Sequence, residues 1–280
     1  HFSHGFCLLL PLTCPVFGIV VILITNFAPS GQIKCIPLAN SVENRHEGGM
    51  RFETIIIGAG AAGMMCAAHV RDALVLDHAK AAGEKIRISG GGRCNFTNIY
   101  ASAENFLSEN THFAKSALAR YTQWDFIDLV QRYDIPYHEK TLGQLFCDTS
   151  AKDIIAMLRD LMKTAGAELW LKTSVTSVRN ENGIFTLDIL KGECTETLTC
   201  KNLVLATGGK SIPKMGATGF AYDVATQFGM RVTETRPALV PFTFSDGRFA
   251  EISGVSLPVR AQAGAGVFDE AMLFTHRGLS

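Results

Sequence analysis

The chain has no excess of charge of either sign. Its 26 Lys and Arg stand against 26 Asp and Glu, for a formal net charge of +0. Nucleic-acid binders usually carry a basic surplus, so the balance argues against such a partner. Proline is scarce at 9 residues while glycine reaches 26, which marks the glycines as local devices. The 8 cysteines are too few for a disulfide scaffold in 280 residues. No two of them form C-x-x-C, and no Cys/His group has the spacing of a zinc site. A metal centre is therefore not expected, and the thiols read as reduced and mostly buried. Hydrophobic residues at 47% against 19% charged exclude a disordered chain.

Charge is also missing from the beginning, where no Lys, Arg, Asp or Glu precedes Lys34. Residues 6–27 are apolar and long enough to span a bilayer, although Pro11 and Pro15 interrupt them and no basic stretch comes first. The first Met is Met50. Two readings compete. In the preferred one, residues 1–49 are read-through upstream of a start at Met50, and the protein is cytoplasmic without a membrane partner. In the other, residues 6–27 anchor it in a membrane, with Lys34 and Arg45 on the inner side.

From Met50 onward the pattern is α/β. Residues 54–57 (TIII) form a β-branched run suited to a strand buried on both faces. GAGAAG comes next at 58–63, then small and apolar residues suited to a helix, then the strand 73–76 (ALVL) ending at Asp77. This is G-x-G-x-x-G between a strand and a helix, with an acid at the end of the next strand. Gly58 permits the tight turn, Gly60 lets backbone approach a pyrophosphate, and Gly63 lets helix and strand pack closely. Asp77 is placed to accept ribose hydroxyls, and its charge disfavours a 2′-phosphate. The spacing predicts dinucleotide binding.

A second glycine cluster, SGGGRCNFTN, occupies 89–98. Consecutive glycines suggest backbone passing close to something, with the same cofactor as the candidate. Arg93 is a candidate phosphate contact and Asn95 a candidate contact to a ring edge. Cys94 lacks the partner of a flavin-type disulfide reductase, because C-x-x-x-x-C would need cysteine where Ile99 stands. Capping boxes are expected at 122–125 and 150–153, and the stripe Ile154, Ile155, Leu158, Leu161, Met162 is core, stopped by Gly166. Strands are expected at 168–171, 174–179, 183–190 and 196–200, with an Asn182-Gly183 hairpin turn. A further strand runs from Asn202 into Thr207-Gly208-Gly209. Thr218 is expected to cap a helix ending at Gly229. After Pro237 short alternating stretches resemble the opening of a β domain. His69, His78, His112 and His138 are scattered and carry no catalytic reading.

Three stretches, 55–63 with its helix, EKIRISGGGRCNFTN at 84–98 and LVLATGGKSIPKMGATG at 203–219, together resemble the BaiN/YhiN-like bacterial flavoproteins, a family also called aminoacetone oxidase-like. GQLF at 143–146 and LFTHRGLS at 273–280 add to the likeness. The resemblance covers residues 50–280. It implies a Rossmann-like FAD-binding domain over 50–236 and the start of an inserted β-rich domain over 237–280. It implies FAD, with pyrophosphate at Gly58, Gly60, Ala61, Ala62 and Gly63 and the adenosine ribose on Asp77. The adenine is then near Val175, the flavin side near Gly91, Gly92, Arg93, Cys94 and Asn95, and further cofactor contacts fall at Ala206, Thr207 and Gly208. The family continues past LFTHRGLS with a segment closing over the flavin, so the chain is expected to be a fragment. The expected activity is FAD-dependent hydride transfer to or from a small-molecule substrate such as an amine, an enone or a quinone-like acceptor, with NAD(P)H as a candidate donor. An NAD(H)-dependent reductase without flavin and a nucleotide-binding module without turnover are the rivals. No catalytic acid or base is assigned.

Overall fold

The computed structural model describes Cys7–Leu8, Ile22–Ile24 and residues 50–106, 110–236, 240–264 and 266–280. Two compact units divide it, one over His1–Val232 and one over Thr233–Ser280.

The first unit is built on a mixed sheet. Its centre is four parallel strands in the order Cys194–Leu205, Met50–Ile57, Leu74–Leu76, Glu168–Trp170. The β-branched run Thr54-Ile-Ile-Ile57 ends the second of these. Alternate side chains of that run face opposite ways, and both faces are buried. Ile56, Val75 and Val204 pack against the helices Ala61–Ala67 and Ala151–Thr164. Ile55, Ile57, Leu74, Leu76, Leu203 and Leu205 pack on the other side, against the hairpin Thr173–Glu181/Ile184–Lys191 and the helix Phe220–Gln227. The apolar run is thus the mark of a central strand.

The turn Asn182-Gly183 forms as expected, with φ of 50° and 84°, the two positive values that a type I′ hairpin requires. The expected strands at 196–200 and from Asn202 are one strand, Cys194–Leu205. Its first half pairs antiparallel with Ile184–Lys191 and its second half parallel with Met50–Ile57. The polar pair Lys201-Asn202 reads as a break, yet both side chains serve the join. Lys201 Nζ lies 2.9 Å from Glu53 Oε2, and Asn202 Nδ2 donates to the Glu53 carbonyl at 3.3 Å.

The Thr122 box opens the helix Gln123–Arg132: Asp125 accepts from the Thr122 N–H at 2.7 Å, and the Thr122 hydroxyl accepts from the Asp125 N–H at 3.3 Å. The box expected at Ser150 is only half made. Ser150 Oγ accepts from the Lys152 N–H at 3.2 Å, but the Asp153 carboxylate takes the Thr149 hydroxyl instead of reaching back. A three-stranded sheet, Asn95–Asn98, Gln144–Cys147, Tyr137–Glu139, lies apart from the main one. Of the apolar segment 6–27, Cys7–Leu8 and Ile22–Ile24 are extended, and Ile22–Ile24 pairs antiparallel with Leu203–Leu205. A membrane helix over 6–27 is not what those positions form, and the rest of the segment lies outside the described residues. No helix among the described residues is long and apolar enough to cross a membrane.

The second unit is a four-stranded antiparallel sheet in the order Phe242–Thr243, Gly278–Leu279, Gly266–Thr275, Ser256–Ala263. Phe249 packs edge-on against Phe244 and tilted against Phe274, both with centroids 5.2 Å apart. Arg260 and Asp269 face each other across the long hairpin in a two-bond pair.

Candidate functional site

The four parallel strands end at one level. Leu205 pairs with Ile57, Ile57 with Leu76, and Leu76 with Trp170. The segments that leave the strands at that level are therefore gathered at one edge: Ala206, Gly58, Asp77 and the turn leading to Val175. Ligands of open α/β sheets bind outside the carboxyl ends of the strands, and the site residues expected from the sequence lie there because of this register. Three hydrogen bonds continue the ladder into the turns: Ala206 N–H to Ile57 O at 2.7 Å, Gly58 N–H to Leu76 O at 2.7 Å, and Asp77 N–H to Trp170 O at 2.9 Å.

The three motif glycines are needed for different reasons. Gly58 has φ +110°, and a Cβ there would overlap the Ala206 carbonyl. At Gly63 a Cβ would overlap the carbonyl oxygen of Gly58. Both are demanded by the protein's own packing. Gly60 is not: a Cβ there would have nothing within 4 Å. The space beside it belongs to a cavity of about 950 Å³. A bare backbone facing open volume, with no protein atom to require it, fits a ligand that must approach the main chain.

Asp77 is held from two sides. Its Oδ2 accepts from the Ala59 N–H at 2.6 Å and its Oδ1 from the Ala79 N–H at 2.8 Å. A carboxylate oxygen can accept more than one bond, so both keep capacity for ribose hydroxyls. Asp77→Ala should leave two N–H groups unpaired, each costing about 1–3 kcal/mol where water cannot reach, and should loosen the glycine turn. The expected result is a lower melting temperature together with weaker cofactor retention. An unchanged melting curve would show that these two bonds do not hold the turn.

The cavity is lined by Gly58, Gly60, Ala61, Ala62, Asp77, Val175, Ala206, Thr207 and Gly208 among the residues named from the sequence. These residues fit an adenine dinucleotide: a turn open to the main chain, an oriented carboxylate and a second glycine segment. Gly63, Gly91, Gly92, Arg93, Cys94 and Asn95 are not in its walls. Gly63 lies beneath the turn. The wall stops at Ile88 and Ser89, just short of the three glycines. The close approach signalled by those glycines is made at Gly90 by the protein itself, where a Cβ would lie 2.7 Å from the Phe146 ring and 2.9 Å from the Asn95 nitrogen. Gly91 has nothing within 4 Å, and Arg93 is exposed. Sequence reasoning misses His78, Lys85 and Ser211, together with the wall from Met215 to Phe220. His78 stands alone in the sequence, yet its Nδ1 is 3.7 Å from Asp77 Oδ1. The N-cap of the helix Phe220–Gln227 is Gly219 and not Thr218; the Thr218 hydroxyl, one residue earlier, accepts from the Phe220 N–H at 3.3 Å.

Cys94 and Cys147 are both buried. Burial pushes the Cys94 thiol up to about 11 and Cys147 to about 12. Cys66 is likewise raised by burial to about 11 and Cys200 to about 12. A thiol whose folded value is raised contributes stability below its ordinary value of 9.0 and loses it as pH climbs to 11–12. Stability should therefore fall across that alkaline window. At pH 8, iodoacetamide followed by peptide mapping should label exposed Cys194 well before these four. Rapid labelling of Cys94 would mean that it is an accessible thiolate.

The model of the family described as HI0933-like protein Rossmann domain matches residues 52–275. The chain belongs to this HI0933-like family. Within and around it, the protein named Ribosomal RNA dihydrouridine synthase from Escherichia coli (strain K12) is 52% identical over 239 residues, covering 82% of this chain and 58% of that protein. Its namesake from Haemophilus influenzae (strain ATCC 51907 / DSM 11121 / KW20 / Rd) is 49% identical over 236 residues, covering 81% and 59%. A 3-dehydro-bile acid delta(4,6)-reductase from Clostridium scindens (strain ATCC 35704 / DSM 5676 / VPI 13733 / 19) is more distant, at 23% over 215 residues, covering 74% and 51%. The chain spans somewhat under three fifths of the length of the first of these relatives. The HI0933-like match takes in the glycine turn, Asp77 and the segment 206–208 together.

Proposed function

We propose that this chain forms the FAD-holding part of a flavin-dependent reductase that converts a uridine of ribosomal RNA to dihydrouridine. The observation that carries the reading is the cavity at the strand ends, with its open glycine turn and oriented Asp77, in a chain 52% identical to a protein of that name. The names of the relatives share one chemistry, reduction of a carbon–carbon double bond conjugated to a carbonyl, which is the enone among the substrates expected from the sequence. The uracil ring takes a hydride at C6 and a proton at C5, and NAD(P)H, oxidised to NAD(P)⁺, is the proposed source of the electron pair. FAD held in this cavity would supply the hydride once reduced. This chain's residues bind and orient. Gly58, Gly60, Ala61 and Ala62 offer main chain to the pyrophosphate and Asp77 holds the ribose. Val175 borders the adenine, Ala206, Thr207 and Gly208 form the facing wall, and the flavin side extends from the wall at Ser89 toward Gly91, Gly92 and Arg93, with buried Cys94 and Asn95 behind them.

The reading departs from the expectation of no nucleic-acid partner. That expectation rested on a balanced total charge, and total charge does not report how charge is distributed over a surface. A ribosomal substrate keeps the protein in the cytoplasm. The test is the dihydrouridine content of ribosomal RNA, measured by nucleoside mass spectrometry, in a strain lacking the gene. Dihydrouridine should disappear and return with the intact gene, but not with Gly60→Val. Unchanged content would overturn the RNA reading and return the search to small enones.

A further inference from the structure

The cavity has a charge problem. Its walls carry three carboxylates, Asp77, Glu84 and Asp223, and among the described residues that line it Lys85 is the only Lys or Arg. A dinucleotide brings two more negative charges on its diphosphate, and main-chain N–H groups offer partial charge only. We propose that Lys85 is the counter-charge of the diphosphate, a binding residue for the dinucleotide; this rests on the reading of the cavity as a FAD site.

Three features of the fold support it. Lys85 sits on the short helix Glu84–Ile88, which is tied to the glycine turn by the Gly83 N–H donating to Ala59 O at 2.9 Å. Its chain therefore starts beside the turn that presents open main chain at Gly60. Its Nζ ends on the facing wall. It donates to Ser211 Oγ at 3.0 Å and reaches Gly209 O at 3.5 Å, and it lies 3.7 Å from the Cβ position of Gly208. The ammonium thus spans from one glycine segment to the other, across the opening that the diphosphate would occupy. Finally, no carboxylate lies within ion-pair distance of it among the described residues, although 84 and 223 in the same wall are acids. A half-buried ammonium held only by neutral oxygens, without a counter-ion, has its desolvation only partly offset, and burial lowers its proton affinity accordingly. A phosphate oxygen is the partner that this arrangement lacks, and the neutral contact to Ser211 is one it can give up without leaving a charge unpaired.

The test uses the full chain stripped of flavin and three probes: FAD, ADP, which keeps the diphosphate and adenosine, and riboflavin, which keeps only the ring and ribityl chain. Affinities are read by fluorescence and calorimetry for the wild type, Lys85→Met and Lys85→Arg. A charge-assisted bond predicts that Lys85→Met weakens FAD and ADP alike by about 10- to 100-fold. Riboflavin should be unaffected, and Lys85→Arg should recover most of the loss. The salt dependence of ADP binding should flatten in Lys85→Met. Equal FAD and ADP affinity in wild type and Lys85→Met would overturn the proposal, as would a loss confined to riboflavin and FAD, which would put the ammonium at the ring. A wild type that binds none of the probes would instead sink the FAD reading itself, so the two failures are distinct.

Discussion

Gly60→Val is expected to fold like the parent and to leave purification without flavin. The Cβ position at Gly60 meets nothing within 4 Å, and Gly60 is not among the residues with positive φ. A Cβ there therefore strains neither backbone nor neighbours, and the branched side chain beyond it has the cavity to enter. It projects into the volume that the proposed diphosphate needs, and it separates phosphate oxygens from the N–H groups of 60–62. Losing several hydrogen bonds to a charged group, at about 1.5–3 kcal/mol each, lowers affinity by several powers of ten. The checks are the far-ultraviolet circular dichroism spectrum, which should be unchanged, and flavin per chain after gel filtration, which should approach zero. Flavin at the parent stoichiometry would remove the glycine turn from the site.

Gly63→Ala should do the reverse and damage the fold before the ligand. Its Cβ would overlap the Gly58 carbonyl oxygen and sit 3.3 Å from the Ala206 Cβ. Neither neighbour can give way easily, since Gly58 and Ala206 are bonded into the sheet through Leu76 and Ile57 at 2.7 Å each. Overpacking costs about 1–3 kcal/mol, occasionally more, and here the obstacle is backbone. A loss of about 3 kcal/mol should bring the urea midpoint down by about 1–3 M, given slopes of about 1–3 kcal/mol/M. A midpoint within error of the parent would mean that the helix Ala61–Ala67 can slide away from the strand at little cost.

The contrast between Gly60 and Gly63 explains what was legible in the sequence. The motif at 58–63 fixes local geometry, because a tight turn and a close helix can be made only by residues without a Cβ, and the strand pattern around it places the turn at a sheet edge. Asp77 was legible for the same reason: it is the first residue after a buried strand. Lys85, His78 and Ser211 were not, because no spacing rule ties them to the motif. They reach the cavity by tertiary packing of a short helix and a long loop. The run of glycines at 90–92 was misleading in one respect. Lack of side chains reports that something is near, not what it is, and at Gly90 the neighbour is Phe146. Strand boundaries failed at Lys201-Asn202 because polar residues inside a strand look like a turn unless their partners, Glu53 and Thr54, are known.

The double duty of Cys194–Leu205 also bears on how the chain acquires its shape. The first half pairs with neighbours such as Lys191, opposite Cys194 across a tight turn. The second half must meet residues as remote as Thr54, 148 positions before Asn202. Closing a short loop costs little entropy and is fast, while joining remote segments is slow. The hairpin is therefore expected to form early and to hold the second half of the strand extended. That preformed edge is what Met50–Ile57 later docks on. Since the same docking brings 206–208 against the glycine turn, competence to bind a dinucleotide should appear only with the last and slowest folding phase.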